Sequence, residues 1–199
     1  MVKELLFSME KYIQSGGVVM IPILFISLLM WLLIINRVLF MRRLYVKNIP
    51  REKAGELVKT DQMPHDRYQG VNSQLVRQFL LNRSHDPQLD EFILDEMVVR
   101  QVASVDTYLA VISILAGVAP LLGLLGTVMG MMETFDVITH FGTGNARAMA
   151  GGISVALIST QTGLMVSIPG LYMAGFLTKR ANNLKYRIAA TGIYLKRFL

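Results

Sequence analysis

Cysteine is absent from this 199-residue chain. That excludes a disulfide framework, a zinc site of the CxxC kind and a thiol nucleophile. Charge is scarce too: Asp, Glu, Lys and Arg make up 17% of the residues, against about 25% in a soluble globular protein. His65, His85 and His140 are scattered among loops and show no metal-ligand spacing. No nucleophile–base constellation is present either. An enzyme reading fails, and neither cofactor nor metal is expected.

What the chain has in abundance is apolar: 53% of its residues are hydrophobic. They gather in three blocks that contain no Asp, Glu, Lys, Arg or His. The first block is residues 18–35, completed by Gly16, Gly17 and Asn36 to the roughly 20 residues that cross hydrocarbon. It reads as a retained span and not as a signal peptide. Lys3 and Lys11 are balanced by Glu4 and Glu10, and the block runs into Asn36-Arg37 instead of a small-residue cleavage site. The second and third blocks, 108–132 and 148–178, exceed the bilayer thickness, which suits helices that continue out of it. Pro120 and Pro169 lie inside them, where neighbouring helices can re-satisfy the carbonyls they free.

The basic residues give the direction. Residues 179–199 hold six Lys and Arg and no acid, and residues 37–59 hold seven against two acids. The 133–147 stretch has Glu133, Asp136 and only Arg147. The net charge of +6 is therefore a topology signal, and nucleic acid is not an expected partner. The expected fold class is an all-α integral membrane protein with three transmembrane helices. Its second and third are long and extend into the cytoplasm, and its N-terminus is outside. The segments in order are a periplasmic amphipathic helix (1–15), the first span (16–36), a cytoplasmic helical loop (37–107), the second span (108–132), a periplasmic turn (133–147), the third span (148–178) and a basic cytoplasmic tail (179–199).

Outside the spans, Val2, Leu5, Leu6, Met9, Tyr12 and Ile13 recur at helical spacing, a pattern that suits a helix lying in the outer interface. A frayed terminus is the other reading. The stretch 61–70 (DQMPHDRYQG) is the turn of the large loop. Asp86-Pro87 then reads as an N-cap with proline in the first helical position. From there no breaker intervenes, which predicts one helix running into the second span. Its acidic start (Asp86, Asp90, Glu91, Asp95, Glu96) and the basic tail either pair or stay solvated.

Small residues recur within the second and third spans: Ala119, Gly123 and Thr127; Gly126 and Gly130; Gly152, Ala156 and Thr160; then Gly163, Ser167, Gly170 and Gly175. Such faces let helix backbones approach closely in a membrane. The third span also carries Ser154, Ser159, Thr160, Gln161, Thr162 and Ser167. One or two hydroxyls can bond back to the preceding turn. Six polar side chains this close together point to a polar interior facing part of the helix.

Two stretches, 119–135 (APLLGLLGTVMGMMETF) and 151–176 (GGISVALISTQTGLMVSIPGLYMAGF), resemble the paired core motifs of the MotA/TolQ/ExbB proton channel family, in its ExbB/TolQ branch. The resemblance implies an inner-membrane, multi-pass subunit of a proton-motive-force-driven motor in bacteria. It implies a pentamer of this chain around two copies of an ExbD/TolR-like single-span partner, each bearing an essential Asp, and a TonB- or TolA-like envelope protein that receives the work. It also places Thr127 and Thr160 at the family's pore-lining positions. One departure stands out: Val155 occupies the place where many members carry a Glu. A MotA-like stator is a second reading, disfavoured by three spans where that subunit has four. A structural scaffold without proton conduction is a third.

Overall fold

The computed structural model describes residues 15–46, 48–65, 67–68 and 70–198. The amphipathic segment expected over 1–15 lies outside them, apart from Ser15. All regular structure in the described residues is helical: α1 (Met20–Val46), α2 (Arg51–Lys59), α3 (Val71–Asn82), α4 (Pro87–Asp106), α5 (Leu109–Phe141) and α6 (Ala146–Leu195). Three helices are long and apolar enough to cross a membrane, and α1, α5 and α6 carry these stretches. The chain is a multi-pass membrane protein.

Two compact units divide the chain. One comprises Val111–Gly175 with the chain up to Ile34, the other Ile35–Ala110 with Phe176–Leu199. In the first, α1, α5 and α6 pack side by side. A Cβ built on Gly170 of α6 would stand 2.5 Å from Met30 Sδ of α1 and 3.0 Å from Ala116 Cβ of α5, so three helices meet at one glycine. Away from these contacts the helices present large apolar side chains such as Phe25, Leu32, Leu121, Leu157 and Ile168, all exposed. That is the pattern of a surface solvated by lipid.

The second unit has a conventional core. Ala54 and Val58 of α2, Leu75, Val76 and Phe79 of α3, Leu94 and Met97 of α4 and Leu195 of α6 are buried together. Gly55 leaves room for the Phe198 ring, since a Cβ there would lie 2.8 Å from the ring edge. As the sequence predicts, Asp86 caps α4, accepting from the Gln88 N–H at 3.0 Å, with Pro87 in the first turn. Asp90 is buried and accepts from the Ser84 N–H (2.7 Å), the Ser84 hydroxyl (2.9 Å) and Arg83 Nε (3.3 Å). Burial alone would push its carboxyl up, but these donors and the Arg83 charge outweigh that and hold it below the usual carboxylate range. The acidic start of α4 and the basic end of the chain do pair. Lys196 Nζ contacts Asp95 at 2.7 Å and Glu91 at 2.9 Å, and the hydrogen bonds to Asp95 and then Glu91 raise its ammonium above the ordinary lysine value.

Two boundaries differ from expectation. The single helix expected from Pro87 into the second span is broken. Thr107 turns extended with ψ 130°, and Tyr108 is left-handed with φ 65°. Arg37 Nη2 donates to the carbonyls of Ser104 and Val105, which a continuous helix would have used for its own ladder. The second difference is at the other end of α5, which runs to Phe141 through residues read as a turn. The connection is only a 3₁₀ turn at Gly142–Gly144 and Asn145. Gly142, at φ 67°, is the first residue there able to stop the helix without strain.

Helix α6 is 50 residues long and carries a single buried stripe. Gly152, Ala156, Ser159, Gly163, Ser167, Gly170 and Ala174 are followed, at the same three- or four-residue steps, by Leu177, Ala181, Leu184, Ile188, Thr191 and Leu195. The stripe is small up to Ala174 and mostly large beyond it. In lipid, burial against another helix gains no hydrophobic free energy, and close backbone packing by small residues takes over. In water, large apolar side chains gain from leaving solvent.

Candidate functional site

The site is built where α5 and α6 run antiparallel through their small residues. A Cβ on Gly163 would stand 2.7 Å from the Ala119 carbonyl oxygen and 3.1 Å from Gly123 Cα. One on Gly123 would stand 3.0 Å from the Ser159 carbonyl oxygen, and one on Gly130 2.5 Å from the Gly152 oxygen and 3.0 Å from Ala156 Cβ. At Gly126 the Ser159 side chain fills the space, and at Gly152 the Thr134 hydroxyl does. Backbone therefore faces backbone from Ala119–Gly163 at one end to Gly130–Gly152 at the other.

Four hydroxyls on α6 are accounted for by carbonyls. Thr162 donates within its own helix to Ile158 O (2.7 Å), and Ser159 chiefly so, to Ala156 O (3.0 Å), with a longer contact to Gly123 O of α5 (3.5 Å). Thr160 and Ser167 instead reach across to α5, Thr160 to Gly123 O (3.2 Å) and Ser167 to Ala116 O (2.7 Å). The second bond has a clear origin. Pro120 has no N–H, so the carbonyl four residues back, Ala116, loses its partner in the helix; Ser167 supplies the replacement. The sequence announced the freed carbonyl but not its donor, which comes from 51 residues away.

Thr127 is half-buried, and its hydroxyl donates to Leu124 O at 2.6 Å. Thr160 is half-buried as well. Both hydroxyl protons are thus committed to carbonyls of α5, and each oxygen keeps lone pairs free to accept. Gln161 and Ser154 are exposed.

Val155 packs toward the entry of α1: a Cβ on Gly17, itself at φ 71°, would lie 2.9 Å from Val155 Cγ1. It shares a cleft of about 500 Å³ with Gly17, Gly126, Met132, Glu133 and Asp136. Glu133 and Asp136 are exposed, one turn apart on α5. The sequence suggests a turn over 133–147, whereas the structure carries both acids on α5. Among the described residues no group of His, Asp and Glu has the arrangement of a metal site.

Comparison with known proteins identifies the family. A model of the MotA/TolQ/ExbB proton channel family matches residues 65–190. The Synechocystis sp. protein named ExbB-like 1 is 30% identical over 192 residues, which is 92% of this chain and 75% of that one. The biopolymer transport protein ExbB of Aquifex aeolicus is 39% identical over 72 residues, 36% of this chain and 49% of that one. The Tol-Pal system protein TolQ of Haemophilus influenzae is 32% identical over 83 residues, 42% of this chain and 36% of that one. With α5 and all but the last turn or so of α6 inside the matched region and near-full-length similarity to an ExbB-like protein, the chain belongs to the MotA/TolQ/ExbB proton channel family, in its ExbB/TolQ-like branch.

Proposed function

We propose that this chain is the ring-forming subunit of a proton-motive-force-driven motor in a bacterial inner membrane. It couples proton flow to energised transport or to force transfer across the envelope. Five copies surround a dimer of an ExbD/TolR-like single-span partner, and a TonB- or TolA-like protein takes up the work. The observation that carries this reading is the pairing of α5 and α6 at backbone contact, with Thr127 and Thr160 on them and no ionisable side chain in the three spans. A proton path through this wall needs its titrating group from a partner, and Val155 leaves the chain without one of its own at that place. The two threonine oxygens remain acceptors, suited to a partner's protonated carboxyl or to water beside it. Taking polar neighbours away from a buried carboxylate raises its pKa and slows deprotonation. A charge crossing the membrane supplies about 2.3 kcal/mol per 100 mV, enough for mechanical work when several are used in turn.

The reading also sets direction. The stripe on α6 changes from small to large between Ala174 and Leu177, and Lys179 and Arg180 follow at once. Both support a cytoplasmic end of that span there, with Gly142–Gly144 on the outer side in this reading.

The test is proton flux into liposomes holding the subunit with and without its partner. Few protons should cross through the subunit alone. With the partner present, the Thr127→Val/Thr160→Val pair should impair proton-driven function at least tenfold, and Thr→Ser at either place only mildly, with assembly intact in both. Undiminished function in the double valine variant, or strong flux through the subunit alone, overturns the assignment.

A further inference from the structure

Between α4 and α5 the chain reads ASVDTYLAV over 103–111, with neither glycine nor proline. Nothing in that composition stops a helix, yet the helix stops there, with Tyr108 at φ 65°. A bulky L-residue avoids the left-handed region; one held there marks a backbone that its surroundings over-determine. The break withdraws the N–H groups of Tyr108 and Leu109 from the carbonyls four residues back, Ser104 and Val105. These are the two carbonyls that Arg37 takes, at 2.7 Å for Ser104 O and closer still for Val105 O. Arg37 is 3% exposed, and its cation is placed well for a helix C-terminus. Its Nε, however, is buried without any hydrogen-bond partner, which is unusual for a side chain in its final resting arrangement. Asp106, next in the chain to Val105, acts on the Arg37 charge and is ion-paired to Lys185 of α6 at 2.5 Å.

We propose that this junction is a two-state joint and that Arg37 is the positioning residue that latches it. In the latched state, the one seen in the structure, the guanidinium holds both carbonyls and α4 ends at Asp106. In the other state, the Tyr108 and Leu109 N–H groups take the carbonyls back and α4 continues into α5. Arg37 then turns its released donors, the unused Nε among them, onto Asp106 in competition with Lys185. Each state satisfies the two carbonyls, and the left-handed tyrosine of one is set against the broken Asp106–Lys185 pair of the other. Near balance of this kind is what a switching element requires. Use of the joint by the site would run through α5, which carries Thr127. That use rests on the proton-driven reading above; the joint itself does not.

Hydrogen exchange of the full-length assembly in lipid nanodiscs, with no proton gradient, reads the joint directly. Arg37→Met keeps most of the stem and removes the donors. It should slow exchange of the Tyr108 and Leu109 amides at least tenfold, because the helix closes over them. Arg37→Lys, which restores charge without the fork, should fall between, and Tyr108→Gly should leave both amides as fast as in the unaltered protein or faster. Tyr108→Ala, with Arg37 intact, should slow them too, and it keeps the test decisive if the arginine variants fail to assemble. Unchanged exchange in Arg37→Met or Tyr108→Ala, or faster exchange along the whole of α4 in Arg37→Met, reduces Arg37 to an ordinary helix cap and overturns the proposal. A joint that behaves as stated in a chain moving no protons would sink the function proposed above and leave the joint standing.

Discussion

Ser167 and Pro120 form one feature, although 47 residues separate them in sequence. The proline frees a carbonyl, and the serine hydroxyl donates to it at 2.7 Å. In the membrane interior such a bond contributes about 0.6 to 1.7 kcal/mol. Ser167→Ala should therefore lower the resistance of the assembly to unfolding in denaturing detergent by about 1 kcal/mol. In a Pro120→Ala background, where the N–H of the introduced alanine serves the carbonyl itself, the same substitution should cost clearly less. Equal losses in the two backgrounds would show that the bond is not the link. Asp90 is the comparable residue outside the spans. Its folded-state carboxyl lies below the usual range, so its contribution is fully present above the unfolded value of about 3.9 and is lost as pH falls through the folded value. Asp90→Asn should destabilise the helical unit at pH 7 by about 1–3 kcal/mol. Thermal unfolding at successively lower pH should show that deficit shrinking below pH ~4. At this scale the sequence exposes needs and conceals partners: Pro120 declared an orphan carbonyl, and Asp90 counted as one more acid in a charged run.

At the scale of elements, the small-residue spacing in α5 and α6 was legible as a close-packing face and the start of α4 as a cap, while the two ends of α5 were not. Nothing local marks the stop at Thr107–Tyr108, because Arg37, which holds it, lies 67 and 68 residues earlier than the carbonyls it takes. The far end of α5 misled for the opposite reason. Glu133, Thr134 and Asp136 look like a polar turn, yet Thr134 bonds back to Gly130 O at 2.9 Å and the helix persists to Phe141. The packing makes a prediction that separates glycines by their surroundings. Gly163→Ala would drive a methyl to 2.7 Å from the Ala119 carbonyl, and overpacking of this sort costs about 1–3 kcal/mol. Gly151 meets nothing within 4 Å, so Gly151→Ala should be neutral or slightly stabilising within the protomer, given the better helix propensity of alanine. Detergent unfolding of the two variants side by side measures this; similar losses would mean that the α5–α6 contact is not where stability resides.

For the whole molecule, the number of spans and the family were readable from composition and two motifs, because a charge-free run and a glycine pattern are local. The pairing of Lys196 with Glu91 and Asp95 was only half readable, since charge opposition in sequence does not say which side chains meet. What no local pattern conveys is that α6 remains a single helix of about 75 Å at 1.5 Å per residue, with one buried stripe from Gly152 to Leu195. Each end of such a shaft is keyed to its own neighbours, and an insertion between them tests whether its angular phase matters. One alanine inserted after Thr178 rotates everything beyond by about 100°. Leu184, Ile188 and Leu195 would swing off the core while every residue facing α5 stayed in place. Seven inserted alanines return the phase to within about 20°. Proton-driven function should collapse with one insertion and partly recover with seven, despite the larger change in length. Activity that instead fell steadily with the number of inserted residues would mean that length, and not phase, is what the shaft must keep.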